Sequence, residues 1–98
     1  MRAHFILAYD ISDPDRLRRV ARIAEDFGDR VQLSVFACQL THRDVAVLRE
    51  RMKDVIQPEA DQVLLLRLGP VAEGVHDQPE FEVLGRPAAL RDMRQLIF

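Results

Sequence analysis

The order of apolar and polar positions along the chain predicts three long strands and one short strand. Residues 3–9 are almost entirely apolar and stop at Asp10, which predicts a buried strand that ends on a carboxylate. Residues 30–40 alternate between two faces and give the clearest strand pattern of the chain. Residues 61–68 predict a third long strand, and residues 81–84 predict a short fourth strand.

The two faces of the segment 30–40 differ in polarity. The odd-numbered positions from 31 to 37 carry only apolar side chains, whereas the even-numbered positions mix polar side chains with Phe36. A mixed face with one large aromatic side chain is typical of a face that a partner or ligand partly covers. An ordinary half-exposed strand has the same pattern.

A helix is predicted after each of the first two strands. The first begins at Ser12 or Asp13, followed by a proline suited to the first turn, and ends at Gly28. Thr41 and the acid three residues later match a capping box for the second helix, which Pro58 is expected to close. The apolar stripe of the first helix consists of Leu17, Val20, Ala21, Ala24 and Phe27.

This order of elements predicts an α+β fold. We expect a ferredoxin-like sandwich with two helices on one face of an antiparallel sheet, and a single domain over residues 1–98. Residues 71–80 are expected to form a loop, and the final segment fits either a helix or a short added strand. The core of a domain with 98 residues is thin, so association with a second copy would stabilise it.

Composition excludes several classes of function. A net charge of −2 argues against a protein held on nucleic acid by bulk positive charge. Lys53 is the one lysine and the other basic side chains are arginines, which suit phosphate contacts but are also typical of a GC-rich genome. Cys38 is the one cysteine, so neither an internal disulfide nor a multi-cysteine zinc site is possible. No stretch has the length and layout of a signal peptide or a membrane span, so we expect no membrane contact and a cytoplasmic location.

Asp10 is the candidate for chemistry. An acid at the end of a buried strand presents its carboxylate on a rigid base, although a strand-end aspartate is also a common turn or cap residue. Magnesium needs several oxygen ligands, and one aspartate per chain does not supply them. Two copies of Asp10 facing each other across a two-fold axis would share one ion.

The segment Tyr9-Asp10-Ile11-Ser12, an arginine-rich first helix and the sequence RVQLSVF at 30–36 together resemble the CRISPR-associated Cas2 family. The resemblance extends in order and spacing through the strand at 61–68. It implies a ferredoxin-like protomer in a symmetric homodimer, with residues 85–98 as a C-terminal arm that contacts the partner subunit. Leu33 stands where an aromatic residue is common in the family, which leaves a stacking role there in doubt.

The same resemblance implies roles for particular residues. Asp10 would be the metal-binding and catalytic acid, with one Mg²⁺ shared across the dimer axis. The nucleic-acid contacts would come from Arg16, Arg19 and Arg30, and the residues that support the site or the interface would be Tyr9, Ser34 and Phe36. Arg30 either points to solvent or pairs with a carboxylate such as Asp29 or Glu25.

Three functions remain open at this point. The first is a Mg²⁺-dependent endonuclease that acts on RNA or duplex DNA in CRISPR spacer acquisition. The second is a non-catalytic scaffold that holds DNA between subunits of the CRISPR integrase. The third is a regulatory dimer that binds no nucleic acid.

Overall fold

The computed structural model describes residues 1–72, 82–86 and 96–97. The elements are β1 (Ala3–Asp10), α1 (Pro14–Phe27), β2 (Gly28–Gln32), β3 (Val35–Leu40), α2 (His42–Lys53), β4 (Gln62–Pro70), β5 (Glu82–Val83) and β6 (Leu96–Ile97).

Strands β1 to β4 form one sheet in the order β2-β3-β1-β4, and each neighbouring pair is antiparallel. β1 and β2 therefore run parallel with β3 between them, and α1 makes the crossover that joins them. The order β-α-β-β-α-β is that of the ferredoxin-like motif. The predicted α+β sandwich of two helices on an antiparallel sheet is confirmed.

The helices cover one face of the sheet. The side chains that exclude solvent most completely come from both layers: Leu7 and Phe36 from the sheet, Val20 and Leu48 from the helices. The partly buried Val63 and Leu65 of β4 pack against the same cluster. The core therefore lies between this face and the two helices, and its shape follows from the alternation of strand side chains and the helical period.

Both helices begin where the sequence predicts. Asp13 is the N-cap of α1, and its Oδ2 accepts a hydrogen bond from the Arg16 main-chain N–H at 2.9 Å. Thr41 and Asp44 form the complete capping box of α2. The end of α2 was predicted wrongly, because the helix stops at Lys53 and not near Pro58. The next residues continue only as turns, in which the N–H groups of 55 and 56 both bond to the carbonyl oxygen of residue 52.

The expectation that 30–40 is one strand is wrong. The segment is a hairpin in which β2 and β3 are joined by a turn at Leu33 and Ser34. No non-glycine residue of the described chain has a positive φ, so the turn needs no glycine or asparagine, and the usual sequence signal is missing. The strand register shifts between Arg30 and Gln32, which is a local bulge.

The interpretation of the mixed face of this segment, as partly covered by a partner or ligand or as half-exposed, is also wrong. Phe36 is completely buried and Cys38 nearly so, and both belong to the core under the helices. Val35 and Ala37, which lie on the other face, are only partly buried. The mixed polarity was misleading because Cys38 packs as an apolar side chain.

The short strand predicted at 81–84 is present as β5, and it pairs in parallel with β6. Phe81 and most of the predicted loop at 71–80 lie outside the described residues. The same holds for most of the proposed arm at 85–98, so its contact with a partner subunit stays a prediction.

Candidate functional site

Asp10 is the last residue of β1 and its side chain is exposed. It pairs with Gln62, the first residue of β4, so the ladder holds its backbone up to the point where the strand ends. Alternation places Asp10 on the side of the sheet opposite to Tyr9, which is buried in the core. The carboxylate therefore lies at the end of the sheet face that the helices leave bare.

That face is apolar and is named here the open face. Cross-strand pairs place Ile6 opposite both Leu66 and Ala37, and Ala8 opposite both Leu64 and Val35. Leu64 is 55% exposed and Leu66 is 51% exposed. An apolar surface with Asp10 at one end is typical of an interaction site. The open face consists of Ile6, Ala8, Val35, Ala37, Leu64 and Leu66.

Hydrogen bonds to Asp61, which lies just before β4, hold the loop between β1 and α1 in place. Its Oδ2 accepts hydrogen bonds from Arg16 Nε at 2.7 Å and from the Gln57 main-chain N–H at 2.9 Å. Its Oδ1 accepts from Arg16 Nη2 at 3.1 Å and from the Ser12 main-chain N–H at 3.3 Å. The Ser12 hydroxyl lies 3.5 Å from the same Oδ1. We name this arrangement the Asp61 clasp.

The clasp is electrostatically strong. The Asp61 side chain is inaccessible to solvent and that of Arg16 is 22% exposed. The guanidinium and the two main-chain N–H donors hold the pKa of the Asp61 carboxyl well below its usual range. The same contact raises the pKa of Arg16. Both groups are therefore charged near neutral pH, and two parallel N–H···O bonds fix their geometry.

Tyr9 connects the end of β1 to the hairpin turn. Its main-chain N–H donates to the Ser34 carbonyl oxygen at 3.1 Å, and its hydroxyl donates to the Leu33 carbonyl oxygen at 3.2 Å. Its ring stacks on Phe36 with centroids 6.2 Å apart. Burial raises the pKa of the Tyr9 phenol, and Arg30 opposes part of that shift. Tyr9 is therefore a protonated structural group near neutral pH.

Arg30 extends over the aromatic core from β2. Its guanidinium carbon is 5.2 Å from the centroid of the Phe36 ring, and its Nη2 is 3.5 Å from Glu25 Oε1. The choice between solvent and a carboxylate is thus decided, because Arg30 pairs with Glu25 while its side chain remains 38% exposed.

Arg19 lies on the outer surface of α1, away from the loop. It lines a shallow groove of about 330 Å³ between the two helices, together with Arg22 and Arg51. Arg51 is committed to Asp26, with its Nη2 2.9 Å from Oδ2. Asp54 also lines the groove, so Arg19 and Arg22 supply its excess positive charge on the helix layer.

One chain alone does not fit a magnesium ion. Within residues 1–72, 82–86 and 96–97 no three acidic, histidine or cysteine side chains lie close enough to hold a metal. Asp13 is used as a helix cap and Asp61 is saturated by five donors. Asp10 is an exposed carboxylate at the end of β1, and one carboxylate ligand alone does not build an octahedral site.

The predicted site residues thus fall into three groups. Tyr9, Ser34, Phe36 and Arg30 meet around the hairpin, and Tyr9 is the residue before Asp10. Arg16 lies at the loop beside Asp10, and Arg19 stands apart on the helix surface. Sequence reasoning missed the role of Asp61. The available signal was an acid at the start of the predicted strand 61–68, but nothing in the sequence indicates which arginine it binds.

The family profile described as "CRISPR associated protein Cas2" matches residues 1–72. The chain belongs to this family. The CRISPR-associated endoribonuclease Cas2 1 of Rhodospirillum rubrum is 40% identical over 91 residues, covering 88% of each chain. The CRISPR-associated endonuclease Cas2 2 of Thermus thermophilus is 38% identical over 78 residues, covering 70% of this chain and 87% of the relative.

A solved structure of the same family has the same fold. The crystal structure of Streptococcus pyogenes Cas2 at pH 6.5 superposes with a TM-score of 0.63 and is 32% identical, covering 67% of this chain and 86% of the other. Among the helices of the described residues, none is long and apolar enough to cross a membrane.

Proposed function

We propose that this chain is a CRISPR adaptation protein that acts as a homodimeric, metal-dependent endonuclease on RNA or duplex DNA during spacer acquisition. The observation that carries the proposal is the position of Asp10, an exposed acid at the end of the open face. The nuclease names of its relatives support the same activity. We expect the protein to work in the cytoplasm, beside the CRISPR integrase.

The proposed dimer forms through the open face. A two-fold axis across an apolar sheet face buries both copies of that face and sets equivalent residues near each other. Asp10 lies at the end of the face, so the axis brings two carboxylates to one place. This pairing supplies what one chain lacks, namely a second carboxylate ligand for Mg²⁺.

The bound ion would polarise a phosphoryl oxygen and make a bound water more acidic. The protein residues would do the rest of the work. The Asp10 pair would hold the ion, and Arg30 would contact a more distant phosphate of the substrate from the helix side of the hairpin. Tyr9, Ser34 and Phe36 would keep the strand end rigid.

Cleavage of labelled single-stranded RNA and duplex DNA by wild type, Asp10→Asn and Asp15→Asn tests this proposal. Asp15 is an acid at the start of α1 that pairs with Arg18, and it serves as the matched control. We expect Asp10→Asn to reduce Mg²⁺-dependent cleavage by at least about 100-fold, because the charge that holds the ion is lost. Asp15→Asn should cleave at the wild-type rate. Equal cleavage by wild type and Asp10→Asn would show that the activity does not use this site.

A scaffold is the second candidate function, favoured by the exposed arginines of α1. Arg19 and its neighbours offer phosphate contacts on the helix layer, which position duplex DNA without reading its sequence. Duplex binding by wild type and Arg19→Ala, measured at several salt concentrations, tests this candidate. Salt-sensitive binding that Arg19→Ala weakens, without cleavage, would assign the scaffold function.

A further inference from the structure

We propose that Asp61 and Arg16 act together as positioning residues for Asp10, and that Arg16 serves the site through the Asp61 clasp and not as a phosphate contact. This inference rests on the proposed function, because it concerns the same acid. It reassigns one residue that the family resemblance places on nucleic acid, and it adds one that sequence reasoning did not select.

The path of the chain is the first support for this role. Asp10 is the final ladder residue of β1, and Ser12 follows two positions later. The Ser12 N–H is bound to Asp61, and the side chain of Ile11 between them is buried. The segment that leaves Asp10 is therefore fixed within two residues, so the carboxylate has little freedom beyond its own side-chain rotation.

The number of elements that meet at the clasp is the second support. Arg16 belongs to the first turn of α1, and Asp61 immediately precedes Gln62, the ladder partner of Asp10. Asp61 also holds the Gln57 N–H, and its own N–H donates to the Gln57 carbonyl oxygen at 2.8 Å. One buried carboxylate thus joins the helix start, the loop after Asp10 and the strand beside Asp10.

The third support is that the side chains of Asp61 and Arg16 are already engaged in hydrogen bonds. The two oxygens of Asp61 accept from five donors, so Asp61 is not available as a metal ligand. Nε and Nη2 of Arg16 are directed to Asp61, and Nη2 also lies 3.4 Å from the Ser12 hydroxyl. Nη1 is the one guanidinium nitrogen of Arg16 that these contacts do not use, so a two-nitrogen grip on a phosphate would have to share Nη2 with Asp61 and Ser12.

The experiment compares wild type with Asp61→Asn, Arg16→Lys and the double variant. Asn keeps the size of Asp61 but removes the charge, and Lys keeps the charge of Arg16 but cannot fork onto two oxygens. Substrate affinity and the cleavage rate at saturating protein are measured separately. Asp26→Asn is the control, because it removes the charge of another aspartate that binds an arginine, in this case an exposed pair between the two helices.

We expect Asp61→Asn and Arg16→Lys each to lower the saturated cleavage rate by about 10–100-fold, as is typical when a residue that orients a ligand is changed. Substrate affinity should change by less than about twofold, and the double variant should be no slower than the worse single variant. Asp26→Asn should behave as wild type. Weakened binding in Arg16→Lys with an unchanged saturated rate would overturn the inference and return Arg16 to the phosphate. A wild-type rate in Asp61→Asn would overturn it equally.

Two NMR readouts separate this inference from the proposed function. Amide hydrogen exchange at Ser12 reports whether the clasp holds the loop, and Mn²⁺-induced broadening of the Asp10 amide reports whether the acid takes up a divalent ion. Faster exchange together with weaker Mn²⁺ broadening in Asp61→Asn supports positioning. Unchanged Mn²⁺ broadening despite a loosened loop overturns it. If the wild type shows neither cleavage nor Mn²⁺ broadening, the proposed function fails and the inference fails with it, whereas failure of Asp61→Asn alone leaves the function standing.

Discussion

Leu66 offers the sharpest test of the proposed dimer. It pairs with Ile6 in the middle of the open face, and 51% of its surface is exposed in the single chain. Complete burial of a leucine side chain contributes ~1.5–3 kcal/mol, so covering the exposed half contributes about 1 kcal/mol. A two-fold interface contains the residue twice, which makes the contribution to the free energy of dimerisation about 2 kcal/mol.

Leu66→Glu should therefore break the dimer. The substitution loses that burial and also places a carboxylate against apolar side chains, at a further cost of about 1–3 kcal/mol in each protomer. The sum is at least about 4 kcal/mol, which corresponds to a dissociation constant raised by about a thousandfold. Leu66→Ala loses part of the burial alone, so its dissociation constant should rise by about tenfold.

Sedimentation equilibrium over a wide range of protein concentration measures these dissociation constants. Val47→Glu is the matched control, because Val47 is 46% exposed on α2, in the helix layer. Circular dichroism checks that each variant is folded. A Leu66→Glu dimer as tight as the wild type would refute the reasoning, and so would equal weakening by Val47→Glu, since the effect would then not belong to the open face.

Two further predictions concern the core beside the hairpin. Gly28→Ala should lower the free energy of unfolding, measured by urea denaturation, by about 1–3 kcal/mol. The reason is that the new Cβ would lie 2.5 Å from both the Ala37 carbonyl oxygen and Cys38 Sγ. Adding Cys38→Ala should restore only part of the loss, and full recovery would show that the contact with the Ala37 carbonyl oxygen costs nothing. Burial raises the pKa of the Cys38 thiol from 9.0 to about 12, so the folded protein keeps a proton that the unfolded chain releases. The free energy of unfolding should therefore fall as pH rises from 9 towards 12, and it should fall less in Cys38→Ala. At pH 8 the thiol of the folded protein should react with a disulfide reagent about a thousandfold more slowly than the thiol of the chain unfolded in urea.

The helix starts and the order of elements could be predicted because their causes are local. Asp13 before Pro14, and Thr41 three residues before Asp44, satisfy main-chain N–H groups within one turn, so the sequence itself contains both partners. The same holds for the strand that ends at Asp10, whose apolar run is continuous. Local pattern alone is therefore enough to place the main candidate acid at a strand end.

The hairpin and the clasp could not be predicted, for physical reasons. A turn at Leu33 and Ser34 uses ordinary backbone angles and so requires no special residue, which made two strands look like one. The clasp joins residues 45 positions apart, and each of the many arginines is an equally good partner for Asp61 by sequence alone. The choice is made by tertiary packing, which brings the start of α1 next to the start of β4.

The double attachment of Tyr9 to the hairpin has a mechanical consequence. Its main-chain N–H and its hydroxyl are bound to the carbonyl oxygens of two consecutive turn residues, Ser34 and Leu33. The two hydrogen bonds couple the position of the hairpin turn to that of the end of β1, and the 85% exposed Leu33 side chain lies at this turn. A partner that binds Leu33 and displaces the turn would therefore also displace Tyr9, the residue before Asp10.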